Sequence, residues 1–439
     1  MPKSFKIITL GCRVNQYESA YLSEALTHAG LRRALKGERA DIAVINTCIV
    51  TQRASHQSRQ AIRKAIRENP EGRVAAVGCY AQVFPDELTR IQGIGLIADN
   101  RAKGELPRVL LNAAESGQKT VVLKDFDPKM DFEFLPIKRF PGRTRANLKV
   151  QDGCQSFCTY CIVPFARGPY RSLSPSKVLS TVESLAGEGY REIVLTGIHL
   201  GKYGVDLEGE MNLNVLLRNI GREGFPLRIR LSSLHPDEID EELIDMVTFE
   251  KWLCRHFHIS LQSGDDETLK RMNRNYTIRA FAELIESIYE RVPLAAMGVD
   301  IISGFPGEDK TAHENTYSII KDLPVSYLHV FPFSARPGTE AAGLEGRVDP
   351  EEIKKRATEL RNLGQIKRNA FYHSCLNKSF LVLAERWPPK EKNIFQGMSD
   401  NYLPVVFPSD KDMKGRLVPV NMERVENGKV TGRLQKGLE

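Results

Sequence analysis

The sequence predicts an α/β protein in three parts: an N-terminal open parallel α/β sheet, a central partial (β/α)6 barrel and a C-terminal small β-barrel. In residues 1–115, short apolar runs alternate with helical repeats, which is typical of a parallel sheet covered by helices. Through residues 140–371, six apolar runs recur at the spacing of one strand plus one helix. Residues 372–439 contain short strands separated by glycine, proline and Asn-Gly turns. Residues 116–139 have weak periodicity and are predicted to be a linker.

Strands of the N-terminal sheet are predicted at Phe5–Leu10, Asp41–Thr47, Arg73–Gly78 and Ile94–Ala98. Apolar residues at helical spacing place one helix between the first two strands and another over residues 54–68. The apolar start of the chain is short and leads directly into Gly11 and a polar segment, so we expect a strand there and not a signal peptide.

Strands of the central part are predicted at Ala146–Gln151, Glu192–Thr196, Arg228–Ser232, His256–Gln262, Ala296–Ile302 and Tyr327–Pro332. In barrels of this kind the chemistry takes place at the C-terminal ends of the strands. A last helix is predicted from Asp349 to about Arg368, because Asp349 can cap it and Pro350 suits its first turn.

The C-terminal part is predicted to form strands at Ser379–Glu385, Tyr402–Phe407, Arg416–Val425 and Lys429–Leu434. Its small size and mild basicity are typical of an RNA-binding domain. A purely structural cap is the alternative interpretation.

Composition limits the class of protein. The 439 residues carry 62 basic and 55 acidic side chains, and the net charge of +7 is modest for a nucleic-acid binder. No apolar run approaches the roughly 20 residues that a membrane span needs, so we expect a cytoplasmic protein with no membrane partner. Eight cysteines in a large chain of a reducing compartment favour metal ligands over disulfides.

Three cysteines follow successive strands of the N-terminal sheet. Cys12, Cys48 and Cys79 each come just past the predicted C-terminal end of a strand. Because ligands bind at this edge of an open α/β sheet, we expect the three thiols to converge on a metal site. The alternative is that they are three small buried side chains. Three protein ligands would leave one coordination position open.

Cys154, Cys158 and Cys161 form a second set within eight residues. A zinc site would need a fourth Cys or His, and the nearest histidine downstream, His199, lies on another strand. An iron–sulfur cluster held by three thiolates instead keeps one iron for an exogenous group. Tyr160 could pack on a planar ligand of that iron or simply belong to the core. The residues alone therefore indicate a two-cluster redox enzyme, with RNA as a candidate substrate.

The spacing Cys154-x3-Cys158-x2-Cys161, with Tyr160, resembles the cluster motif of the radical S-adenosylmethionine superfamily. The C-terminal barrel resembles the TRAM domain of the methylthiotransferases in that superfamily, and the resemblance covers essentially the whole chain. The other motifs occur in the order found in that family: Gly11-Cys12, Asn46-Thr47-Cys48, Gly78-Cys79, Gly153-Cys154, Gln262-Ser263-Gly264, Gly304-Phe305-Pro306-Gly307-Glu308 and Phe331-Pro332-Phe333-Ser334-Ala335-Arg336.

The resemblance implies two 4Fe-4S clusters and S-adenosylmethionine in two roles. The cluster on Cys154, Cys158 and Cys161 would cleave S-adenosylmethionine reductively, and the resulting 5′-deoxyadenosyl radical would take a hydrogen from C2 of an adenine. The cluster on Cys12, Cys48 and Cys79 would carry the sulfur, methylated by a second S-adenosylmethionine. No catalytic residue is implied beyond the cluster ligands. Candidate contacts of S-adenosylmethionine are, by position, Tyr160, Thr196, Gly197, Arg230, Ser232 and Gln262.

The residues after Cys12, Arg13-Val14-Asn15-Gln16, resemble the subfamily that acts on N6-threonylcarbamoyladenosine in tRNA. The isopentenyladenosine enzymes usually have Gln-Met-Asn after this cysteine, and the ribosomal-protein enzymes have Pro-Lys-Asn. The resemblance implies 2-methylthiolation of the adenosine at position 37, immediately 3′ of the anticodon, by a monomer that binds the anticodon stem-loop and uses an external electron donor. The alternatives are a methylthiotransferase for isopentenyladenosine tRNA or for a ribosomal-protein aspartate. An alternative of another class is a non-catalytic iron–sulfur protein that binds RNA or transfers electrons.

Overall fold

The computed structural model describes residues 3–116, 118–127, 130–386 and 393–435. Its first part is a parallel sheet with the strand order β2-β1-β3-β4-β5-β6. Helices pack on both faces of this sheet because its buried strands alternate apolar side chains toward two separate clusters. The strands are β1 Ser4–Thr9, β2 Arg32–Arg33, β3 Ile42–Thr47, β4 Arg73–Gly78, β5 Ile94–Ala98 and β6 Thr120–Val122. The helices are α1 Arg13–His28, α2 Gln52–Glu68, α3 Cys79–Val83, α4 Pro85–Thr89 and α5 Leu106–Ser116.

The predicted linker, residues 116–139, is more structured than the sequence indicates. Its β6 pairs in parallel with β5 and extends the N-terminal sheet. Farther on, Leu135 and Ile137 are buried in the core of the central part, where the Tyr17 hydroxyl of α1 donates to the Leu135 carbonyl at 2.6 Å. The segment therefore fastens α1 to the central part instead of merely connecting two domains.

The central part is the predicted partial barrel. Two parallel sheets, β11-β10-β7 and β12-β13-β14, are joined between β11 and β12 by isolated bridges. Within the described residues β7 and β14 do not pair, so the barrel is open between its first and last strands. The strands are β7 Ala146–Lys149, β8 Gln151–Asp152, β9 Arg171–Ser172, β10 Glu192–Thr196, β11 Arg228–Leu231, β12 His256–Gln262, β13 Ala296–Ser303 and β14 Tyr327–Pro332. The helices are α6 Val163–Arg167, α7 Pro175–Gly187, α8 Leu213–Arg222, α9 Glu241–Phe249, α10 Asp266–Arg271, α11 Ile278–Arg291, α12 Lys310–Asp322 and α13 Pro350–Ser374.

The C-terminal part is a closed five-stranded barrel with the order β15-β16-β17-β19-β18. The sequence did not predict β16, because its inward-facing residues are Phe395, Gly397 and Ser399 and only one of them is a large apolar residue. A side chain at Gly397 would lie 2.3 Å from the carbonyl oxygen of Leu383, so the crossing strands require glycine there. The strands are β15 Ser379–Arg386, β16 Ile394–Ser399, β17 Pro404–Pro408, β18 Leu417–Glu426 and β19 Lys429–Leu434.

Two arginines of β11 fasten this barrel to the central part. Arg228 donates to the carbonyls of Leu381 and Met398, at 2.7 and 2.8 Å. Arg230 donates to those of Ser399 and Asp400, at 2.8 and 2.9 Å. Both guanidinium groups also pair with the buried carboxylate Glu192 of β10, and this pairing offsets the cost of burying their charge. No helix in the described part of the chain has both the length and the apolar character to cross a membrane.

Candidate active site with two cysteine centres

The first centre lies at the C-terminal edge of the N-terminal sheet. Cys12 follows β1 and caps α1, Cys48 follows β3, and Cys79 opens α3 directly after β4. These three strands are neighbours in the sheet, so the three thiols converge although they are spread over 68 residues of sequence. Gly11 has a φ of +89°, and a Cβ there would lie 2.7 Å from the Cys48 sulfur. The backbone before Cys12 therefore packs directly against the second thiol.

The second centre is a single loop between β8 and α6. Gly153, with a φ of +76°, lies so close to the Pro169 carbonyl oxygen that a Cβ would be 1.7 Å from it. The Cys154 amide donates to the Gly168 carbonyl at 2.9 Å. The Gln151 side-chain amide donates to the carbonyls of residues 152 and 153, both at 2.8 Å, and the carbonyl of the same side chain accepts from the His199 amide at 2.7 Å. These contacts fix the direction in which the loop leaves the barrel.

Burial raises the pKa of the Cys48 thiol to about 12, and desolvation of its sulfur raises the pKa of Cys12 as well, although that residue as a whole is exposed. In the second centre burial raises the pKa of Cys161 to about 12 and also raises the pKa of Cys158. Burial acts in the same direction on Cys154, but hydrogen bonding to His199 and to residue 156 outweighs it and lowers the pKa of that thiol. Binding of a metal group must therefore displace protons from the four thiols with raised pKa values.

The structure shows a role for His199 that its distance in the sequence conceals. Its Nδ1 lies 3.5 Å from the Cys154 sulfur and 3.1 Å from the Ser156 hydroxyl. On the other side of the ring, Nε2 pairs with a carboxylate oxygen of Glu238 at 2.5 Å, and the His235 ring lies 4.1 Å away. Burial would lower the pKa of His199, but its bonds to Cys154 and Glu238 raise it to about 9. His199 therefore lies between a thiol of the second centre and a buried carboxylate.

The spacing of the thiols distinguishes a site for a single metal ion from a site for a polynuclear cluster. In a tetrahedral zinc site with Zn–S bonds of about 2.3 Å, the sulfurs are about 3.8 Å apart. Among the described residues, two triads of His, Cys, Asp or Glu have all their ligand atoms within 4.8 Å of one another, and neither contains a cysteine. Neither set of three cysteines therefore has all its thiols close enough together for a single ion. A polynuclear cluster does not need such closeness, because each sulfur binds a different metal atom.

A buried network of charges connects the two centres. Glu18 of α1 pairs with Arg167 at 2.5 Å, with Lys103, and with Lys149 at 3.5 Å. Lys149 also pairs at 3.0 Å with Asp152, which lies two residues before Cys154. Arg167 donates in addition to the Asn15 side chain of α1 at 2.6 Å. Burial would raise the pKa of Glu18, but Arg167, Lys103 and Lys149 lower it to about 2. The network therefore locks the helix that begins at Cys12 onto the loop that carries Cys154.

Four predicted cofactor contacts lie at the strand ends beside the second centre. Thr196 and Gly197 end β10, Ser232 follows β11, and Gln262 ends β12 with a φ of +75°. The Ser232 hydroxyl is buried and has no hydrogen-bond partner among the described residues, as expected of a group that contacts a bound ligand. Tyr160 packs edge-on against Phe305, with the ring centroids 6.5 Å apart.

Arg230 does not join them in this structure, because its side chain is engaged elsewhere. Its guanidinium is fully buried on Glu192 and on the carbonyls of the C-terminal barrel. The prediction relied on the position of Arg230 one residue before the end of β11. The side chain instead faces the other end of the strand, where residues 399 and 400 accept its protons.

Polar side chains also line the interior of the partial barrel. His258 pairs with Asp300 at 2.7 Å, and His329 contacts the same oxygen at 3.2 Å. The Tyr327 ring lies 5.3 Å from His329, and Tyr402 of the C-terminal barrel lies 5.7 Å from Tyr327. The alternation His-Phe-His-Ile-Ser in β12 was the available sequence signal, because it places both histidines on one face of a strand.

Comparison with known proteins places this geometry in context. Residues 4–98 match the family model described as uncharacterized protein family UPF0004, and residues 148–320 match the radical SAM superfamily. The threonylcarbamoyladenosine tRNA methylthiotransferase MtaB of Bacillus subtilis is 38% identical over 418 residues, which are 94% of this chain and 92% of the relative. The protein of the same name from Aquifex aeolicus is 40% identical over 414 residues, covering 94% and 98%.

A tRNA-2-methylthio-N(6)-dimethylallyladenosine synthase from Dictyoglomus thermophilum is 34% identical over 429 residues, 96% of each chain. Among solved structures, a radical S-adenosylmethionine methyltransferase from Kitasatospora setae, TsrM, superposes with a TM-score of 0.54 at 16% identity. The match covers 78% of this chain and 77% of that one. It is a likeness of fold.

Proposed function

The chain belongs to the tRNA methylthiotransferase family of radical S-adenosylmethionine proteins, and on this premise we propose that it converts N6-threonylcarbamoyladenosine to its 2-methylthio derivative in tRNA. The site of modification is position 37, immediately 3′ of the anticodon. The proposal follows relatives named for this activity that match nearly the whole chain at 38–40% identity. It makes the chain a transferase that inserts sulfur and adds a methyl group.

One observation carries the proposal: two sets of three cysteines lie at strand ends, and the pair between Glu18 and Arg167 joins the elements that carry them. Cys12, Cys48 and Cys79 would hold one 4Fe-4S cluster, and Cys154, Cys158 and Cys161 the other. When bound, these groups supply the electron that cleaves S-adenosylmethionine and the sulfur that is transferred. The network around Glu18 and Arg167 keeps the two centres in a fixed relation, as a reaction between their two ligands requires.

The other residues of the site bind and orient. Thr196, Gly197, Ser232 and Gln262 would contact S-adenosylmethionine, with the unpartnered Ser232 hydroxyl as a polar anchor. Tyr160 would border the same ligand from the cysteine loop. His199 would hold Cys154 in position from the neighbouring strand end. The polar barrel interior offers hydrogen-bonding groups to a base inserted from the open side.

The partners follow from the same chemistry. The C-terminal barrel, as a TRAM-like domain, would bind the anticodon stem-loop. Reductive cleavage consumes an electron from outside the chain, so an external electron donor is required. Both centres draw all their ligands from one chain, which is consistent with a monomer, and a tRNA substrate is consistent with a cytoplasmic enzyme.

Anaerobic reconstitution followed by nucleoside mass spectrometry tests the proposal. Anticodon stem-loops carrying N6-threonylcarbamoyladenosine, N6-dimethylallyladenosine or unmodified adenosine are incubated with the enzyme, S-adenosylmethionine, sulfide and reductant. We expect a methylthio product from the first RNA only. A product from the dimethylallyl RNA alone would assign the chain to the other tRNA activity, which the Dictyoglomus relative makes the second candidate. The absence of product from every RNA would reject both.

A further inference from the structure

A cavity of about 440 Å³ opens between three parts of the chain: the start of α1, the segment that leads into β7, and the C-terminal barrel. Its volume is within the roughly 300–1,000 Å³ typical of small-molecule sites. It lies on the open side of the partial barrel. The residues that matter most are Arg13, Gln16, Arg143, Arg145, Tyr402 and Lys414.

The lining is strongly positive. Four cationic side chains face the cavity, and Glu385 is its only acidic lining residue among those described. Glu385 is already engaged, because Arg145 pairs with it at 3.3 Å and the Thr144 hydroxyl donates to it at 2.8 Å. The cavity therefore has excess positive charge and no protein anion left to balance it.

Arg13 is the most informative of these cations. Its guanidinium forms no hydrogen bond or ion pair with any residue that the structure describes, and its Nη1 atom is buried without a partner. A buried N–H group without an acceptor is costly, because it loses its bond to water without gaining another. Arg143 and Lys414 also have no acidic partner in the described part of the chain. The cavity is thus built for an oxyanion that arrives with a ligand.

The position of Arg13 indicates which part of the ligand carries that oxyanion. Arg13 directly follows Cys12, the first ligand of the first centre. Val194 lines the cavity from β10, and Thr196, a predicted cofactor contact, lies on the same face of that strand about 7 Å nearer the second centre. An adenine with C2 between the two centres would extend its N6 substituent toward this cavity. In N6-threonylcarbamoyladenosine that substituent ends in a carboxylate.

We propose that this cavity is the binding site for the threonylcarbamoyl group, with Arg13 as the partner of its carboxylate and Arg143 and Lys414 as supporting cations. This inference rests on the proposed function for the identity of the base. It assigns substrate specificity to Arg13. The isopentenyladenosine enzymes usually have an uncharged glutamine directly after the corresponding cysteine. A guanidinium and a carboxylate make a charge-assisted pair that an apolar isopentenyl group cannot make.

Two anticodon stem-loops test the inference, one with N6-threonylcarbamoyladenosine and one in which the threonyl carboxylate is a primary amide. The two RNAs have the same shape and differ in one charge. We expect the reconstituted enzyme to bind the acid about 10- to 100-fold more tightly than the amide. This comparison needs no variant, so it stands even where a substitution disturbs folding. Equal affinity for the two RNAs would overturn the inference.

Variants then locate the effect. Arg13→Gln should bring the acid-to-amide affinity ratio close to one by weakening only the acid, and Arg13→Lys should restore part of the ratio. Arg222→Gln, at the exposed end of α8, is the matched control and should leave the ratio unchanged. If Arg13→Gln weakened both RNAs equally and lowered the salt dependence of binding, the cavity would bind a backbone phosphate and the carboxylate assignment would be wrong.

The binding readout separates this inference from the proposed function. An Arg13-dependent preference for the acid without any methylthio product would support the carboxylate site and reject the proposed reaction. A methylthio product from both RNAs with equal affinity would support the reaction and reject the site. Iron content and melting temperature of each variant, measured in parallel, show that the chain is folded and loaded.

Discussion

The two cysteine centres are built in opposite ways. The first collects three thiols from three neighbouring strands, so it exists only when the N-terminal sheet is assembled. The second collects its thiols from eight consecutive residues, whose loop is held by bonds to Gln151, Gly168 and His199. A centre made by the fold is sensitive to any change that loosens the fold. A centre made by one loop is sensitive mainly to changes in that loop.

The largest effects should come from removing one thiol in each centre. Cys158→Ala should abolish reductive cleavage of S-adenosylmethionine, because two thiolates cannot hold the cluster that performs it. Cys48→Ala should retain cleavage and lose the methylthio product. Cleavage is measured by the release of 5′-deoxyadenosine, the methylthio product by nucleoside mass spectrometry, and loss of a cluster by iron content. A full yield of methylthio product from Cys48→Ala would show that the first centre does not supply the sulfur.

The next effect tests how far the first centre depends on domain contacts. Glu18→Gln leaves Arg167, Lys103 and Lys149 buried around a neutral group, and breaking a buried pair in this way costs about 3–5 kcal/mol. We expect a lower unfolding temperature and preferential loss of iron from the first centre. Glu283→Gln, which removes a surface pair on α11, is the control and should change stability by less than about 1 kcal/mol. Equal effects of both substitutions would contradict the structural role of the network.

A smaller effect should distinguish thiol crowding from backbone strain. Gly11→Ala introduces a Cβ about 2.7 Å from the Cys48 sulfur at a φ of +89°. Gly30→Ala introduces the same methyl group at a φ of +86°, where nothing lies within 4 Å. Both variants should lose about 1–2 kcal/mol from backbone strain, and only Gly11→Ala should also lose iron from the first centre. Calorimetry and iron analysis of the two purified variants give the comparison, and similar iron contents would argue against crowding.

The smallest effect lies outside both centres. Replacing Arg416 by alanine should lower the slope of log affinity for tRNA against log salt by about 0.7, if it contacts one phosphate of single-stranded RNA. Cluster content and cleavage of S-adenosylmethionine should not change. Anisotropy titrations at several salt concentrations measure the slope. An unchanged slope would favour the structural-cap interpretation of the C-terminal barrel.

The parts of the fold that the sequence predicts well are those in which local pattern and burial agree. The apolar runs of β3 and β4 and the strand-plus-helix repeat of the central part belong to this group. Four strands were missed: β2 and β9 have only two residues each, and the signals of β6 and β16 are weak. β6 has three residues that are partly exposed, and β16 faces inward with a glycine and a serine. Pairing with a preformed neighbour, and not intrinsic propensity, makes them strands.

The site residues likewise divide into those that local sequence patterns predict and those that depend on distant contacts. The cysteines could be chosen from sequence because residue type, spacing and strand position all indicate metal ligands. Arg230 could not be placed, since its partners lie about 170 residues later in the chain. His199 and Glu18 likewise gain their roles from contacts with distant residues, Cys154 and Arg167. Sequence patterns identify the ligands of a centre more readily than the side chains that hold those ligands in place.

The bonds between β11 and the C-terminal barrel have a consequence for how such proteins recombine. Arg228 and Arg230 donate four hydrogen bonds to four carbonyls of that barrel. The carboxylate of Glu192 pairs with both guanidinium groups. If the C-terminal barrel were transplanted onto another protein, that protein would need residues equivalent to Arg228, Arg230 and Glu192 in its interior. Deleting the C-terminal barrel would leave the buried side chains of Arg228 and Arg230 without their carbonyl partners. The C-terminal barrel is therefore anchored on interior side chains of the partial barrel.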